Sequence, residues 1–304
     1  MKKLVLSVGA TILLACSTSK KVISPLANIS LPKFDKEGHR GCRGLMPENT
    51  IPAMLKAIDL GVTTLEMDVV FTKDGEAILS HEPFFNHEIS TKPDGTFITE
   101  AEEKDYNIYQ MTFEQTQQYD VGLKTHPRFP LQQKLVVHKP RLADVIDSAE
   151  HYINEKQLPS VFYNIETKTQ PATDNKYHPS PEQFVNLLVK IIVQKGIADR
   201  VIIQSFDFRT LQILHKKYPL VKTSMLIEDY DKRTLIEQLK QLGFKPTIYS
   251  PEFSLITLSL VQQCHKENIK IIPWTVNEKN KMEELKNLDV DGIITDYPNL
   301  FEQL

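Results

Sequence analysis

Between residues 62 and 70, a stretch of strand-like composition carries two acids in alternation. Leu65, Met67 and Val69 share one face and Glu66 and Asp68 the other, because successive side chains along a strand point to opposite sides. If both faces are covered, two carboxylates cannot stay ionised without compensation, and a divalent cation with oxygen ligands is the usual compensation. Taken alone, the pair also fits a half-exposed strand with a solvated acidic face. The pattern recurs over 160–167, where Val161, Tyr163 and Ile165 face one way and Asn164 and Glu166 the other, with Lys168 one strand period beyond Glu166. Glu166 offers a third oxygen ligand, and the Lys168 ammonium beside it is placed to neutralise an anionic substrate.

Two histidines accompany these groups. The run Gly38-His39-Arg40-Gly41-Cys42-Arg43-Gly44 closes a first strand and leads through Pro47-Glu48-Asn49-Thr50 into a helix. Glycine permits a tight turn and close approach to a ligand, and arginine offers a planar fork matched to phosphate oxygens, so the run reads as a phosphate site with His39 beside it. His81 closes a short extra strand at 76–80. Two histidines near one phosphate can divide general base and general acid work near neutral pH.

Placing these residues together requires a scaffold in which strand ends converge. From residue 36 onward short apolar strands alternate with amphipathic helices, the pattern of parallel strands with crossover helices. Strands are expected at 35–40, 62–70, 160–167, 200–204, 221–227, 246–249, 269–275 and 292–295. Helices are expected at 51–60, 142–155, 181–195, 208–218, 232–242, 256–268 and 279–288. The fold class is therefore α/β, a (β/α)8 TIM-type barrel spanning 33–304 as a single domain. One interval, about 82–139, breaks the rhythm. It follows the second barrel strand and reads as an inserted lid or small subdomain, with Phe84, Phe85, Phe97, Tyr106, Tyr109, Phe113 and Tyr119 expected to pack it. Trp274, the single tryptophan, shares a face with Ile272 and reads either as an apolar wall for substrate or as core packing. Gln204 and Asp296 also stand at strand ends.

With 36 basic against 39 acidic residues and a formal charge of -3, no overall basic field exists to hold a nucleic-acid backbone. Met1-Lys2-Lys3 followed by the apolar run Leu4–Ala15 has the length and basic flank of a signal peptide, so 1–15 are expected to be removed. Leu13-Leu14-Ala15-Cys16 resembles a bacterial lipoprotein cleavage site. Cys16 is then the acylated residue, 16–32 a lipidated tether, and the bacterial cell envelope, periplasmic or surface face, the location; an ordinary secretory signal is the alternative. Cys42 and Cys264 are expected as unpaired, buried thiols.

His39-Arg40-Gly41, Pro47-Glu48-Asn49-Thr50, Glu66-Met67-Asp68, Asp74-Gly75, His81, Asn164-Ile165-Glu166-Thr167-Lys168, Gln204-Ser205-Phe206-Asp207, Trp274-Thr275-Val276-Asn277 and the segment Asp291 to Pro298 together resemble the glycerophosphodiester phosphodiesterases. The resemblance implies that Glu66, Asp68 and Glu166 ligate one divalent cation, Ca²⁺ or Mg²⁺. It also implies that His39 and His81 form the acid/base pair, and that Arg40 and Lys168 bind the phosphate. The implied reaction is hydrolysis of a small-molecule glycerophosphodiester to sn-glycerol 3-phosphate and an alcohol. This chain departs from the family pattern at Glu82, where His-Asp is common, and at Cys42, where a small residue is common. A phosphatidylinositol-specific phospholipase C, a sphingomyelinase D-like lipase and a non-catalytic binder of phosphate esters are the alternatives.

Overall fold

The computed structural model describes residues 30–304; the leader expected at 1–15 and the acylation site expected at Cys16 lie outside the described residues. The strands are β1 (Asp35–Gly38), β2 (Thr64–Phe71), β3 (Ala77–Leu79), β4 (Phe162–Thr167), β5 (Val201–Ser205), β6 (Lys222–Ile227), β7 (Ile248–Pro251), β8 (Lys270–Ile271) and β9 (Gly292–Thr295). All but β3 pair in parallel, in the order β8-β7-β6-β5-β4-β2-β1-β9, and β3 runs antiparallel to β2 with Val69 opposite Leu79. Between β8 and β9 no ladder forms, yet backbone hydrogen bonds from Asp291 to Ile271 (2.9 Å), Ile294 to Pro273 (3.0 Å) and Val276 to Ile294 (3.0 Å) bridge the seam. The expected eight-stranded α/β barrel is thus observed, nearly closed.

The helices are α1 (Ile51–Asp59), α2 (Phe113–Thr116), α3 (Leu142–Lys156), α4 (Pro181–Lys195), α5 (Phe208–Lys217), α6 (Leu235–Leu242), α7 (Leu258–Lys266) and α8 (Lys279–Asn287). Of the boundaries that differ from the expected ones, three have identifiable reasons. Helix α6 starts at 235 rather than 232 because Thr234 and Glu237 form a reciprocal capping box. Helix α7 starts at 258 because the Thr257 side chain accepts from Leu260 N–H. The strand expected over 269–275 pairs as a ladder only at Lys270–Ile271, since Pro273 has no N–H to donate and the chain beyond it swings over the barrel mouth.

Outward-facing strand residues and the helices make the main core. Leu65, Met67 and Val69 of β2 and Tyr163 and Ile165 of β4 pack against Ala53 and Met54 of α1, Ile146 of α3 and Phe184 and Leu188 of α4. Each fully buried large aliphatic side chain contributes roughly 1.5–3 kcal/mol. Inside the barrel, Ile202, Ile248, Ile272 and Ile294 form a separate apolar floor with Leu31 against it. The barrel is therefore plugged below and polar above; Glu66 and Asp68 lie within β2, while His39, Glu166 and Lys168 sit at or just past a strand's C-terminal end, where barrels carry their chemistry.

The interval after β3 is packed structure. Phe85, Ile89, Ile98, Ile108 and Val121 form a second apolar cluster on Val70 and Ile78, with Phe85 stacked on Tyr119 at 4.4 Å. Phe97, expected inside, is exposed. Cys42 and Cys264 are free and buried, as expected. Among the described residues no helix is long and apolar enough to cross a membrane.

Candidate active site

The turn after β1 is forced by its two glycines. A Cβ on Gly38 would lie 2.1 Å from the Gly41 carbonyl oxygen, and at Gly41, with φ +84°, a Cβ would lie 2.7 Å from the Ala53 carbonyl carbon of α1. Between them Arg40 adopts φ +50°, a left-handed conformation that non-glycine residues seldom take. The outcome is that the Arg40 backbone N–H donates to Glu66 Oε2 at 2.7 Å. Its guanidinium is buried between Glu48 Oε1 at 2.9 Å and Asp68 Oδ2 at 3.3 Å. The Pro47–Thr50 stretch acts as scaffold: Asn49 donates its amide to Asp68 Oδ2 (2.8 Å) and accepts from the Asp68 backbone N–H (3.2 Å). Thr50 then caps α1 through Ala53 N–H.

Glu66, Asp68 and Glu166 come together as the alternation required. All three are buried, and each offers an oxygen within 4.8 Å of the others'. Gln204 donates to Glu66 Oε1 at 2.8 Å, which fixes that carboxylate from the β5 side. Lys168 Nζ lies 2.8 Å from Glu166 Oε1 and 3.7 Å from Asp68 Oδ1. Burial, with Asp68 beside it, pushes the Glu66 carboxyl well above its usual value, against the pull of Arg40. Burial, opposed by Lys168 and assisted by Asp68, pushes Glu166 up to about 7. Burial acts upward on Asp68 too, but Lys168 and Arg40 hold it well below the carboxylate range. Three buried carboxylates thus face two built-in cations, one of which, Arg40, is shared with Glu48, so negative charge is left over, and the donors are all oxygen. That fits a hard divalent cation.

His39 and His81 are each fixed at Nδ1 by a carboxylate. His39 Nδ1 lies 2.7 Å from Asp296 Oδ1 and His81 Nδ1 lies 2.5 Å from Glu82 Oε1. Donation from Nδ1 in each leaves Nε2 as the basic nitrogen, and His39 Nε2 is 4.0 Å from Glu66 Oε2. Asp296 is held in turn by Arg43, through Nε at 2.8 Å and Nη2 at 3.0 Å, and by Asn277 Nδ2 at 2.7 Å. Burial, reinforced by Arg43 and Arg40 against the pull of Asp296, lowers His39 to about 4. His81 is also lowered by burial, with Arg40 and Lys168 adding to it and Glu82 and Asp68 opposing. Burial favours protonation of Glu82 and Asp296, but their histidines outweigh it and both carboxyls stay far below the usual range.

Two cavities meet at this centre. The first, about 590 Å³, is bordered by His39, Arg40, Gln204, Phe206, Trp274 and Asp296 among others. Trp274 donates its indole N–H to Ser250 O at 2.9 Å and stands edge-on to Phe206 at 5.5 Å, presenting an apolar wall. The second, about 670 Å³, lies between the insertion and the loop after β4, and Lys168 borders it. His81, Glu166, Phe206 and Glu228 border both. The insertion contributes Arg128 and Phe129 to the first cavity, with Arg43 stacked over the Phe129 ring at 4.9 Å.

Every site residue singled out from sequence within the described range converges on this mouth. Sequence reasoning gave no role to Arg43, Glu48, Asn49, Glu82 or Asn277, and none in particular to Gln204 and Asp296. Only Glu82, directly after His81, carried a local signal, since a carboxylate adjoining a strand-end histidine can fix its tautomer.

Residues 39–300 match the Glycerophosphoryl diester phosphodiesterase family. A glycerophosphodiester phosphodiesterase of Caldanaerobacter subterraneus subsp. tengcongensis is 31% identical over 262 residues, covering 86% of this chain and 93% of that protein. A putative glycerophosphoryl diester phosphodiesterase from Silicibacter pomeroyi, solved by crystallography, has TM-score 0.79 at 28% identity and covers 90% of this chain and 93% of its own. An Oleispira antarctica phosphodiesterase, solved in complex with the product sn-glycerol-3-phosphate, shares the fold with TM-score 0.69 at 20% identity, covering 90% of this chain and 96% of its own.

Proposed function

The chain belongs to the glycerophosphoryl diester phosphodiesterase family and is a phosphodiester hydrolase, and on that premise we propose that it cleaves small glycerophosphodiesters to sn-glycerol 3-phosphate and an alcohol by divalent-cation-assisted, two-histidine catalysis. The observation that carries this reading is the convergence of three buried carboxylates with two histidines, each fixed at Nδ1 by its own carboxylate, at the junction of two cavities. Glu66, Asp68 and Glu166 would hold the ion, Ca²⁺ or Mg²⁺. Bound there, such a cation supplies a Lewis acid that polarises a non-bridging phosphoryl oxygen.

Arg40 and Lys168 bind the phosphate, their charges set beside the carboxylates Asp68 and Glu166. His39, neutral near pH 7 and with Nε2 free, takes the proton of the nucleophile, whether that is water or the neighbouring hydroxyl of the glycerol unit. Asp296 stabilises the imidazolium that results. His81, which must first take a second proton at Nε2 from solvent, gives that proton to the leaving alcohol as the P–O bond breaks, while Glu82 holds its ring through Nδ1. His39 borders the first cavity alone and His81 borders both, which supports placing the glycerol unit against Trp274 in the first and the leaving alcohol beyond His81. The proton gained at His39 and the one lost from His81 re-equilibrate with solvent.

We also propose that Cys16 is acylated after removal of 1–15, with 16–32 as tether, which would hold the barrel at a bacterial envelope membrane. The basic, apolar, cysteine order of the N-terminus supports it. The deciding experiment is release of sn-glycerol 3-phosphate from glycerophosphocholine, with and without chelator. Turnover abolished by chelation and restored by Ca²⁺ or Mg²⁺ supports the assignment, as does near-complete loss in Glu66→Ala, Asp68→Ala and Glu166→Ala; full activity after exhaustive chelation overturns it.

A further inference from the structure

The two cavities differ in chemistry, and the difference bears on which alcohol the enzyme releases. In the second cavity, the charges of the catalytic centre are internally matched: Glu82 is taken up by His81 and Asn86, and Glu166 by Lys168. His178, buried at its base, is occupied by Pro179 O and by Thr173 and the Gln170 backbone, and so only shapes the loop. Three charged groups are left over. Lys104, on the insertion, and Lys176, on the loop after β4, are exposed and make no ion pair among the described residues; Lys176 lies over the Tyr177 ring at 5.5 Å. Glu228 likewise makes no side-chain hydrogen bond or ion pair among the described residues.

Their positions along the cavity differ. Glu228 borders both cavities and therefore stands at the junction, near the reacting phosphate, whereas Lys104 and Lys176 border only the second. The two lysines belong to one wall: Asn107, three residues after Lys104, donates its amide to the Lys176 carbonyl at 2.9 Å, and Phe84 meets Tyr177 edge-on at 6.2 Å. The far end of this cavity is thus a positive wall on an aromatic base, with no matched acid.

We propose that the second cavity is the subsite for the leaving alcohol, and that Lys104 and Lys176 select alcohols carrying a negative charge at the end remote from the scissile bond. The proposal rests on His81 acting as the acid, since the alcohol that receives its proton must lie beyond it. A cationic alcohol such as choline would place its charge toward the same lysines and gain nothing from them. An alcohol with a distal phosphate or carboxylate is attracted without needing contact with the metal centre.

The test compares kcat/KM of the full-length enzyme on three diesters: bis(glycerophospho)glycerol, whose leaving alcohol is anionic, glycerophosphoglycerol, whose alcohol is neutral, and glycerophosphocholine. Wild type is expected to rank them in that order, with the advantage of the anionic substrate shrinking as ionic strength rises. Exposed charge pairs are modest, so reversing both lysines in Lys104→Glu/Lys176→Glu should lower the anionic-to-cationic ratio by about tenfold, each single reversal giving part of it. Because both side chains are exposed, a ratio is readable in the folded variants. A ratio that does not move in the double variant, or a wild-type preference for the cationic alcohol, overturns the subsite while leaving the phosphodiesterase reading intact. Absence of turnover on all three diesters overturns both.

Discussion

Replacing Asp296 by Asn changes no shape and should still disable the enzyme. The Asp296 carboxylate is surrounded only by donors: Oδ1 receives His39 Nδ1 (2.7 Å) and Arg43 Nε (2.8 Å), and Oδ2 receives Arg43 Nη2 (3.0 Å) and Asn277 Nδ2 (2.7 Å). An amide has one oxygen. If its nitrogen faces Arg43 Nη2 and Asn277, donors confront donors, and Asn277 cannot turn because its own oxygen accepts from the residue 296 backbone N–H at 3.0 Å. If its nitrogen faces His39 instead, it donates to Nδ1 and drives the imidazole proton to Nε2, the nitrogen that must be basic. Either orientation also removes the charge that stabilises the imidazolium during proton transfer.

The first arrangement leaves two buried donors unpaired, Arg43 Nη2 and Asn277 Nδ2, and the second only one, Arg43 Nε, at a cost of about 1–3 kcal/mol each, so the second is favoured and the base is lost. Positioned proton transfer contributes about 100-fold to 10,000-fold. The Asp296→Asn variant should therefore remain folded, lose some stability in urea, and fall within that range in kcat/KM for glycerophosphocholine. Nitrogen chemical shifts of the His39 ring would report the change of tautomer directly. A folded variant with near wild-type kcat/KM would refute the reasoning about His39, whatever the metal site does.

The histidines should divide by leaving group: His39→Ala and His81→Ala both cripple hydrolysis of a natural glycerophosphodiester, but only His81→Ala should be substantially rescued by a nitrophenyl ester, whose phenolate departs without a proton. Near wild-type turnover of glycerophosphocholine by either variant would exclude the two-histidine scheme. Stability should fall with acidification: between about pH 6.5 and 4 the unfolded chain binds a proton at residue 39 that the native chain refuses, because burial lowers His39 from 6.5 to about 4. That is worth about 3 kcal/mol in total, and parallel denaturation curves over this window for wild type and His39→Gln would show it to be absent. Cys16→Ala should release the protein from membrane fractions or block its maturation, and normal processing with undiminished membrane association would rule out acylation there.

The barrel was legible because its signals are local and repeated. Each strand is a short apolar run and each helix carries a cap or a stop nearby, so α4 over Pro181–Lys195 matches the expected bounds and α3 extends one residue past them. The misplaced starts of α6 and α7 came from following apolar spacing past Thr234 and Thr257, whose capping chemistry was in the sequence. The strand expected over 269–275 was overextended because Ile272 and Trp274 have strand-like character, while the backbone pairing depends on an N–H that Pro273 lacks.

The chemistry-bearing groups were legible for a different reason from their supports. Alternation alone puts Glu66, Asp68 and Glu166 on the inner faces of β2 and β4, and parallel pairing sets Asp68 opposite Glu166, so the carboxylate cluster follows from two strands and a register. The partners that orient these groups follow from nothing local. Asp296 is 257 residues from the His39 it fixes, and Gln204 is 138 from Glu66; they meet because barrel closure makes β9 a neighbour of β1, and because β5 follows β4 and β2 in the sheet. The motifs of the sequence therefore contain Gln204, Asn277 and Asp296 as well, but which tautomer or charge each of them sets becomes visible only once the sheet is closed. Glu82 shows the one case where the two coincide: being adjacent to His81, it keeps a carboxylate on Nδ1 despite the longer side chain, so Glu82→Asp should preserve function better than Glu82→Gln.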